Sequence, residues 1–385
     1  MALPSAASAG TASAGSGTTS ASLTSVACVS ASSCMAVGGY DFTSKPSVAL
    51  PLAEHWNGHK WSVVKIAAPA GATTSELRSV ACKSASSCTA VGEFYASNLS
   101  PSSALIEHWN GTKWSLETPA AIAGASASAL EDVACDGISS CTAVGYYVNG
   151  ADDSQNVAEH WNGSKWSLEG TPDYSKLQSD LNGVACPSAS SCTAVGQAWN
   201  SAEAWVTFAE HWNGHKWSLE VTPDAPGAVE NFPAGVACAS ATNCMSAGYT
   251  LSNHDTIRLT LAEHMSGTAW KLEKTLNPSA ALEPGNDLSR VACTSTSSCT
   301  AVGWDENGHY LDLTLAEHWN GSSWAVMKTS NPSAGTEGSQ LSGIACTSAS
   351  NCTAVGYDAN NKLVDAALAE HWNGHTWALM VTATP

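Results

Sequence analysis

The sequence predicts an all-β protein, a seven-bladed β-propeller with four antiparallel strands and one disulfide in each blade. Three observations lead to this prediction. Two phrases recur seven times in alternation, each copy contains four short strand-like segments, and all 14 cysteines belong to the repeat. The first cysteines of successive copies are 51 to 55 residues apart. A repeat of about fifty residues built from two hairpins is typical of a propeller blade rather than of a parallel solenoid.

The first phrase has the form "VACxSxSSCxAVG", and it occurs once in each of seven repeats that start near residues 23, 77, 130, 181, 233, 288 and 341. Five residues separate its two cysteines, which suits a tight hairpin between strands A and B. Even pairing with no cysteine left over is typical of a disulfide framework in an oxidising compartment, so we expect a secreted protein. The predicted disulfides are Cys28/Cys34, Cys82/Cys88, Cys135/Cys141, Cys186/Cys192, Cys238/Cys244, Cys293/Cys299 and Cys346/Cys352.

The second phrase, "AEHWNGHKW" in its first copy, is predicted to join strands C and D. Its Asn-Gly pair is a strong hairpin signal, because a type I′ turn needs positive φ at both central residues. In the first copy, strands A to D are "LTSVACV", "CMAVGGY", "ALPLAEHW" and "KWSVVK". No segment has a helical period of useful length, and Val, Trp and Tyr favour strands.

Composition sets the limits of the fold and excludes some partners. Residues 1–21 are almost wholly Ala, Ser, Gly and Thr, so we expect a flexible tail or linker before a propeller that spans residues 22–385. No apolar run approaches the roughly 18 residues of a membrane helix, and the N-terminus lacks signal-peptide features, so we expect any export signal to have been removed. A net charge of −18 argues against binding to nucleic acid or to anionic membranes.

The layout "LxxVAC…CxAVG…AEHWNGxxW" resembles the repeat of Asp-box (BNR) propellers, which include sialidase-like proteins and photosystem II assembly-factor propellers. The resemblance covers residues 22–385 and implies the same seven-bladed architecture. It rests on the Leu-x-x-Val strand, the Ala-Val-Gly strand and the Gly-containing turn followed by Trp. The position of the Asp of the box is occupied here by Trp56, Trp109, Trp161, Trp212, Met265, Trp319 and Trp372.

The Glu-His pair of each copy could supply an acid, a base or a metal ligand, but strand C lies too far from the axis for seven copies to converge on one site. Neighbouring residues on a strand point to opposite faces, so we expect each Glu and His to contact a different neighbouring blade. Replacing His160 by Ala should then lower stability. The paired tryptophans, such as Trp56 and Trp61, are likewise expected to fill space between blades.

If the repeated residues hold the blades together, function is expected where the copies differ. The B–C and D–A loops share one face of a propeller, and the B–C segments combine aromatic side chains with carboxylates and amides. Such groups can stack on a sugar ring and accept its hydroxyl protons, although the aromatics could instead close the central channel. The candidate ligand-binding residues are Tyr40, Asp41, Tyr95, Tyr147, Trp199, Trp205, Trp304, Asp305, Glu306, Tyr357 and Asp358.

The sequence therefore predicts a secreted, non-enzymatic module that binds carbohydrate or a cell-surface component. Trp199, Trp205 and Trp304 are the expected stacking residues. Asp305 and Glu306 are the expected hydroxyl acceptors, and because they resemble hard-cation ligands, calcium is a candidate cofactor. No other cofactor is expected.

Two other functions stay open. One is an extracellular scaffold with a protein partner. The other is a sialidase-like hydrolase, which is disfavoured because Arg78, Arg258 and Arg290 lie in blades two, five and six and could converge only at the axis.

Overall fold

The structure is a computed structural model. It describes residues 19–385 except for 43–44, 67, 98–100, 175–176, 253–256, 279–284, 308, 310, 333–337, 360–363 and 384. The described residues form seven four-stranded antiparallel sheets, which confirms the predicted fold class. Residues 1–18 of the predicted tail lie outside the described residues, and the first strand begins at Thr19, three residues before the predicted start. Within these ranges no helix is long and apolar enough to cross a membrane.

Each blade is contiguous in the sequence and contains four strands in chain order. The strands of blades one to three are β1 (Thr19–Ser30), β2 (Ser33–Phe42), β3 (Lys45–Trp56), β4 (Trp61–Val63), β5 (Thr74–Ser84), β6 (Ser87–Tyr95), β7 (Ser103–Trp109), β8 (Trp114–Glu117), β9 (Ala127–Gly137), β10 (Ser140–Val148), β11 (Ser154–Trp161) and β12 (Trp166–Glu169). Those of blades four and five are β13 (Ser179–Ser188), β14 (Ser191–Trp199), β15 (Trp205–Trp212), β16 (Trp217–Glu220), β17 (Glu230–Ser240), β18 (Asn243–Ser252), β19 (Ile257–Ser266) and β20 (Ala269–Glu273). Those of blades six and seven are β21 (Asn286–Ser295), β22 (Ser298–Glu306), β23 (Asp312–Trp319), β24 (Trp324–Met327), β25 (Gly338–Ser348), β26 (Asn351–Ala359), β27 (Asp365–Trp372) and β28 (Trp377–Met380).

The first strand of every blade is the innermost one. Each of these seven A strands contacts the A strand of the next blade, and β1 contacts β25 in the same way, which closes the ring. Small apolar cores lie between neighbouring blades, as where Val37 and Ala53 of blade one pack with Leu77 and Val80 of blade two. The blades are therefore held by seven interfaces of one kind around a common axis.

One face of the disc, which we call the disulfide face, carries the A–B hairpins and the C–D turns. All seven predicted disulfides are present, one in each blade, with Cα atoms 4.0 to 4.1 Å apart. In blade one, Gly58 of the C–D turn has a φ of 89°, and a Cβ there would lie 2.8 Å from the Ser32 side chain. Glycine therefore permits both the turn and its contact with the disulfide hairpin. The opposite side, with the B–C and D–A loops, we call the loop face.

The second cysteine of each disulfide is a core residue, and this burial was not predicted from the sequence. It lies near the start of strand B, where its side chain points into the interface between two blades. The Cys244 Sγ atom, for example, is 3.6 Å from Thr193 Oγ1 of the preceding blade. The seven buried cysteines are Cys34, Cys88, Cys141, Cys192, Cys244, Cys299 and Cys352.

These cysteines therefore belong to the apolar cores between blades. Cys192 packs with Trp217 in the core of blade four, and Cys352 packs with Trp377 in that of blade seven. Cys299 packs in the same way in blade six, and Cys244 packs with Met265 in blade five. Each disulfide thus anchors its hairpin to the apolar core between blades.

The repeated Glu-His phrase packs the blades together, as predicted. The glutamates are almost fully buried and face the preceding blade: Glu159 accepts a hydrogen bond from the Ala120 N–H at 2.7 Å. The histidines face the other way, as His264 does when it contacts the Trp319 ring of the next blade. In six of the hairpins two tryptophans pair directly, with ring centroids 5.8 Å apart for Trp56 and Trp61, and in blade five Met265 pairs with Trp270.

Candidate functional site

A cavity of about 410 Å³ lies on the axis of the ring. Its walls come from the early part of the A strands and the late part of the B strands, so it lies toward the loop face. We call it the axial cavity. The lining residues are Thr24, Arg78, Glu131, Asn182, Gln197, Phe232, Pro233, Ala234, Tyr249, Ser289, Arg290 and Ser342.

A β-bulge in every A strand places side chains in this cavity. The register of each A–B pair shifts immediately after the residue that begins the repeat, as between Leu77 and Ser79. A bulge leaves one residue unpaired and turns it away from the regular alternation. The seven bulged residues surround the axis, and all of them line the cavity: Thr24, Arg78, Glu131, Asn182, Ala234, Ser289 and Ser342.

Above this ring lie seven cross-strand pairs, one for each blade. The strand A member of each pair lies two residues before the bulged residue. The strand B member directly follows the glycine of the Ala-Val-Gly or Ala-Gly sequence. Directly opposed side chains in an antiparallel pair are close neighbours on one face. The pairs are Ser22/Gly39, Glu76/Glu93, Ala129/Tyr146, Asp180/Gln197, Phe232/Tyr249, Asp287/Trp304 and Gln340/Tyr357.

Arg290 forms the floor of the cavity by reaching across the axis. Its guanidinium donates to the backbone carbonyls of Ala234 at 2.8 Å, Asn182 at 3.2 Å and Glu131 at 3.4 Å, and it lies 3.5 Å from the Asp132 carboxylate. A Cβ at Gly235 would lie 3.0 Å from the Arg290 side chain. The glycine therefore makes room for an arginine that links blade six to blades three, four and five.

Two further arginines lie beside the cavity. Arg78 pairs with Glu93 and, at 3.4 Å, with Glu131, and the Tyr95 hydroxyl donates to Glu93 Oε2 at 3.1 Å. Arg258 pairs with Asp287 at 3.3 Å. It also stacks over two aromatic rings, with its Cζ atom 4.0 Å from the Tyr249 centroid and 5.5 Å from that of Trp304.

An aromatic row runs from the B–C loop of blade four into the cavity. The ring centroids of Trp199 and Trp205 are 5.4 Å apart, those of Trp205 and Phe232 are 6.3 Å apart, and those of Phe232 and Tyr249 are 4.9 Å apart. All four rings are half-buried. Each ring therefore keeps an open surface next to its neighbour.

Burial shifts the pKa of several groups around the cavity. It raises the pKa of Asp287 to about 6, against the opposing effect of Arg258. It also raises the pKa of Tyr146 to about 12, with added effects of Glu93 and Glu131. Burial and the neighbouring Asp312 carboxylate raise the pKa of Asp305 to about 6. Burial is thus the main cause of these shifts, and it favours the neutral form of each group.

The structure brings only part of the predicted binding residues together. Trp304 and Tyr357 belong to the cross-strand pairs, which face the axis. Strand alternation places four more predicted residues on that side, each two residues after the pair position of its B strand: Asp41, Tyr95, Trp199 and Glu306. Trp205 belongs to the aromatic row. Four others lie between these positions and point away from the axis: Tyr40, Tyr147, Asp305 and Asp358. Among them, Tyr40 and Tyr147 pack against the cores between blades.

Sequence reasoning missed several residues of the cavity, including Glu131, Gln197, Phe232 and Tyr249. The sequence could have indicated them, because each lies directly beside the leucine or proline that begins a repeat or directly after the glycine of a B strand. For calcium, no group of three or more acidic, His or Cys side chains is placed to hold a metal within the described ranges. A calcium requirement stays a prediction.

Comparison with known proteins supports the fold. No protein-family model and no curated protein sequence matches the chain, so the resemblance to Asp-box repeats stays a prediction. An ulvan lyase of polysaccharide lyase family PL25 is similar in structure, with a TM-score of 0.55 and 8% identity over 90% of this chain and 91% of the lyase. The BP39L lectin from Burkholderia pseudomallei has a TM-score of 0.55 and 10% identity, over 93% of this chain and 100% of the lectin. The Hadza microbial sialidase Hz136 has a TM-score of 0.48 and 9% identity, over 86% of this chain and 75% of the sialidase. These identities show the fold alone.

The prediction that the protein is not an enzyme is wrong, because neither the fold nor the sequence supports it. A polysaccharide lyase has the same architecture, so the architecture does not separate enzymes from lectins. The physical argument also fails, because the three arginines do converge. Arg78 and Arg290 line one cavity, and Arg258 stacks on Tyr249 at its wall.

Proposed function

We propose that the protein binds carbohydrate outside the cell, at the axial cavity of its loop face. The observation that carries this proposal is the aromatic row that leads from Trp199 to Tyr249, directly into a cavity with polar walls. Aromatic rings stack on the apolar face of a sugar, and the amide, hydroxyl and carboxylate groups of the cavity can bind its hydroxyls. Ligand sites commonly combine an apolar surface with a few convergent polar groups.

The polar walls suit a ligand that forms hydrogen bonds. Asn182 and Gln197 both present side-chain amide groups at the wall. Asn182 Nδ2 already donates to Gln197 Oε1 at 3.1 Å and to the Pro233 carbonyl at 2.9 Å, which orients both amides at the wall. Such preorganised groups reduce the entropy lost when a ligand binds.

Two other features agree with the proposal. Seven disulfides favour an oxidising compartment, where cell-surface and secreted glycans are also found. BP39L, a lectin, shares the fold, so the fold is compatible with saccharide binding. The proposal itself rests on the residues of the cavity.

The test is binding to a glycan array, followed by titration calorimetry with the best saccharide. Trp205→Ala and Tyr249→Ala should each weaken binding about tenfold or more while the melting temperature stays near that of the unmodified protein. His215→Ala, at an exposed turn of the disulfide face, is the matched control and should bind normally. Equal binding by all four proteins would place the site elsewhere.

Glycan cleavage is a second candidate function, favoured by one cluster beside the cavity. The Tyr95 hydroxyl donates to Glu93, and Glu93 is paired with Arg78. A phenol held by a carboxylate is suited to exchange a proton with a reacting oxygen. Release of new reducing ends from a bound polysaccharide, lost in Tyr95→Phe, would establish this activity. Binding without any release would leave recognition as the function.

A further inference from the structure

Carboxylates outnumber guanidinium groups among the residues on and around the axial cavity. Six carboxylates lie on the bulge ring, on the cross-strand pairs or at the floor: Glu76, Glu93, Glu131, Asp132, Asp180 and Asp287. The guanidinium groups are those of Arg78, Arg258 and Arg290. Of the charged groups, Glu131, Arg78 and Arg290 line the cavity, and the excess of carboxylates lies in the residues around it.

Each guanidinium is already bound to a carboxylate. Arg78 lies between Glu93 and Glu131, and Arg258 is paired with Asp287. Arg290 is paired with Asp132 and bonded to three backbone carbonyls. An anionic ligand would have to displace one of these partners, at the cost of leaving a carboxylate unpaired, and Glu93, Asp132 and Asp287 are buried.

Two carboxylates form no ion pair with an arginine in the described part of the chain. Glu76 is exposed, and Asp180 lies opposite Gln197 with one buried oxygen, Oδ1, that accepts no hydrogen bond. Glu131, on the adjacent A strand, lines the cavity. Burial raises the pKa of Glu131, and the charges of Glu93 and Asp180 raise it further against the effects of Arg78 and Arg290. A positive charge placed here would be stabilised.

We propose that the saccharide bound in the axial cavity carries a protonated amino group. The ligand class is thus an amino-sugar oligomer and not a glycan of uronate, sulfate ester or sialic acid. The amino group would lie near Glu131 and Asp180, and the sugar ring on Phe232 and Tyr249, whose faces also attract a cation. This inference rests on the proposed carbohydrate binding, and it names the substrate class of the same site.

The test uses three tetrasaccharides, of glucosamine, N-acetylglucosamine and galacturonate, in titration calorimetry at pH 6. The first two share one backbone and differ in the charge of the amino group. We expect the glucosamine oligomer to bind about tenfold more tightly than the acetylated one, and the galacturonate oligomer to bind most weakly.

Two variants separate the site from general attraction to an acidic protein. Glu131→Gln and Asp180→Asn should each weaken glucosamine binding about tenfold and leave N-acetylglucosamine binding unchanged. Asp136→Asn makes the same charge change in the A–B hairpin of blade three, on the disulfide face, and should alter neither. Glucosamine binding that is unchanged in both cavity variants would overturn the inference.

The other outcomes also decide between the two proposals. Preferred binding of the acetylated or the galacturonate oligomer, lost in Tyr249→Ala, overturns the amino-sugar inference and leaves carbohydrate binding in place. No binding of these oligomers or of any glycan on an array overturns carbohydrate binding itself, and the amino-sugar inference with it.

Discussion

The carboxylate of Glu54 in blade one accepts a hydrogen bond of 2.9 Å from the backbone N–H of Ala383, which follows the last strand of blade seven. Glutamates at the same position of other blades accept the same bond from the preceding blade: Glu159 from Ala120 at 2.7 Å, Glu317 from Leu276 at 3.2 Å and Glu370 from Ser330 at 3.0 Å. The ring is thus closed by a contact that also joins three other pairs of neighbouring blades, without exchange of a strand.

These buried glutamates should make stability depend on pH. Burial raises the pKa of Glu54, Glu107, Glu159, Glu317 and Glu370 to about 7, and that of Glu210 and Glu263 to about 8. The ordinary pKa of a glutamate is 4.5. Between this pH and the folded pKa values, the folded protein therefore binds more protons than the unfolded chain. The stabilisation is complete below pH 4.5 and is lost as the pH rises through the folded pKa values.

We therefore expect the free energy of unfolding to fall between about pH 6.5 and pH 8.5, measured by denaturant titration. This range lies above most of the titration of His55, His318 and His371. Burial lowers the pKa of these histidines from 6.5, so below that pH they make stability rise with pH. Glu263→Gln should make the dependence shallower, and Glu203→Gln, at an exposed loop position, should not. A stability that rises with pH in this range would contradict the assignment.

The glutamate of the repeated phrase should matter more for folding than the histidine. Glu159→Ala leaves the Ala120 N–H without its acceptor and should cost about 1 to 3 kcal/mol. His160 is half-exposed, and its ring Nδ1 lies 3.5 Å from Thr142 Oγ1, so His160→Ala should cost less than about 1 kcal/mol. The stability loss that the sequence predicts for His160→Ala is therefore expected to be smaller than that of Glu159→Ala. Equal midpoints of thermal unfolding for the two variants would be inconsistent with this difference.

Arg290 should be needed for stability because it pairs with Asp132 at the axis. Arg290→Met leaves that buried carboxylate unpaired and should cost about 3 kcal/mol or more. Adding Asp132→Asn should recover part of the loss, as measured by urea unfolding. A double variant no more stable than Arg290→Met would mean that the bonds to the carbonyls carry the effect.

Each disulfide should add a modest increment of stability. The paired cysteines are separated by six positions, so the loop-entropy model gives roughly 2 kcal/mol per disulfide. Replacing Cys135 and Cys141 together by Ala should lower the free energy of unfolding by at least this amount, because Cys141 also packs in the core between blades. Intact mass without reductant should be 14 Da below that of the reduced chain, one hydrogen for each cysteine. A mass equal to that of the reduced chain would contradict the pairing.

The repeated residues allowed the architecture to be predicted from sequence. Asn57 and Gly58 indicate a hairpin by themselves, and the even spacing of Cys28 and Cys34 from copy to copy indicates the disulfides. These are local properties that need no knowledge of the neighbouring blades. The burial of the second cysteine, as at Cys192, depends on the next blade and was therefore missed.

The cavity could not be predicted in the same way. The bulge at Arg78 changes the direction of one side chain without leaving a pattern in the spacing of apolar residues. Strand alternation decides that Tyr146 faces the axis while Tyr147 packs between blades, and this requires the exact register of the B strand. Arg290 reaches blades three and four only because of three-dimensional closure.

The position of a bound saccharide in a crystal structure tests the central claim most directly. With the tightest-binding glycan of an array, a sugar ring should lie against Phe232 and Tyr249, above Arg290, in the axial cavity of the loop face. A sugar bound only at the Asn-Gly turns of the disulfide face, or only at the outer rim between blades, would contradict the account.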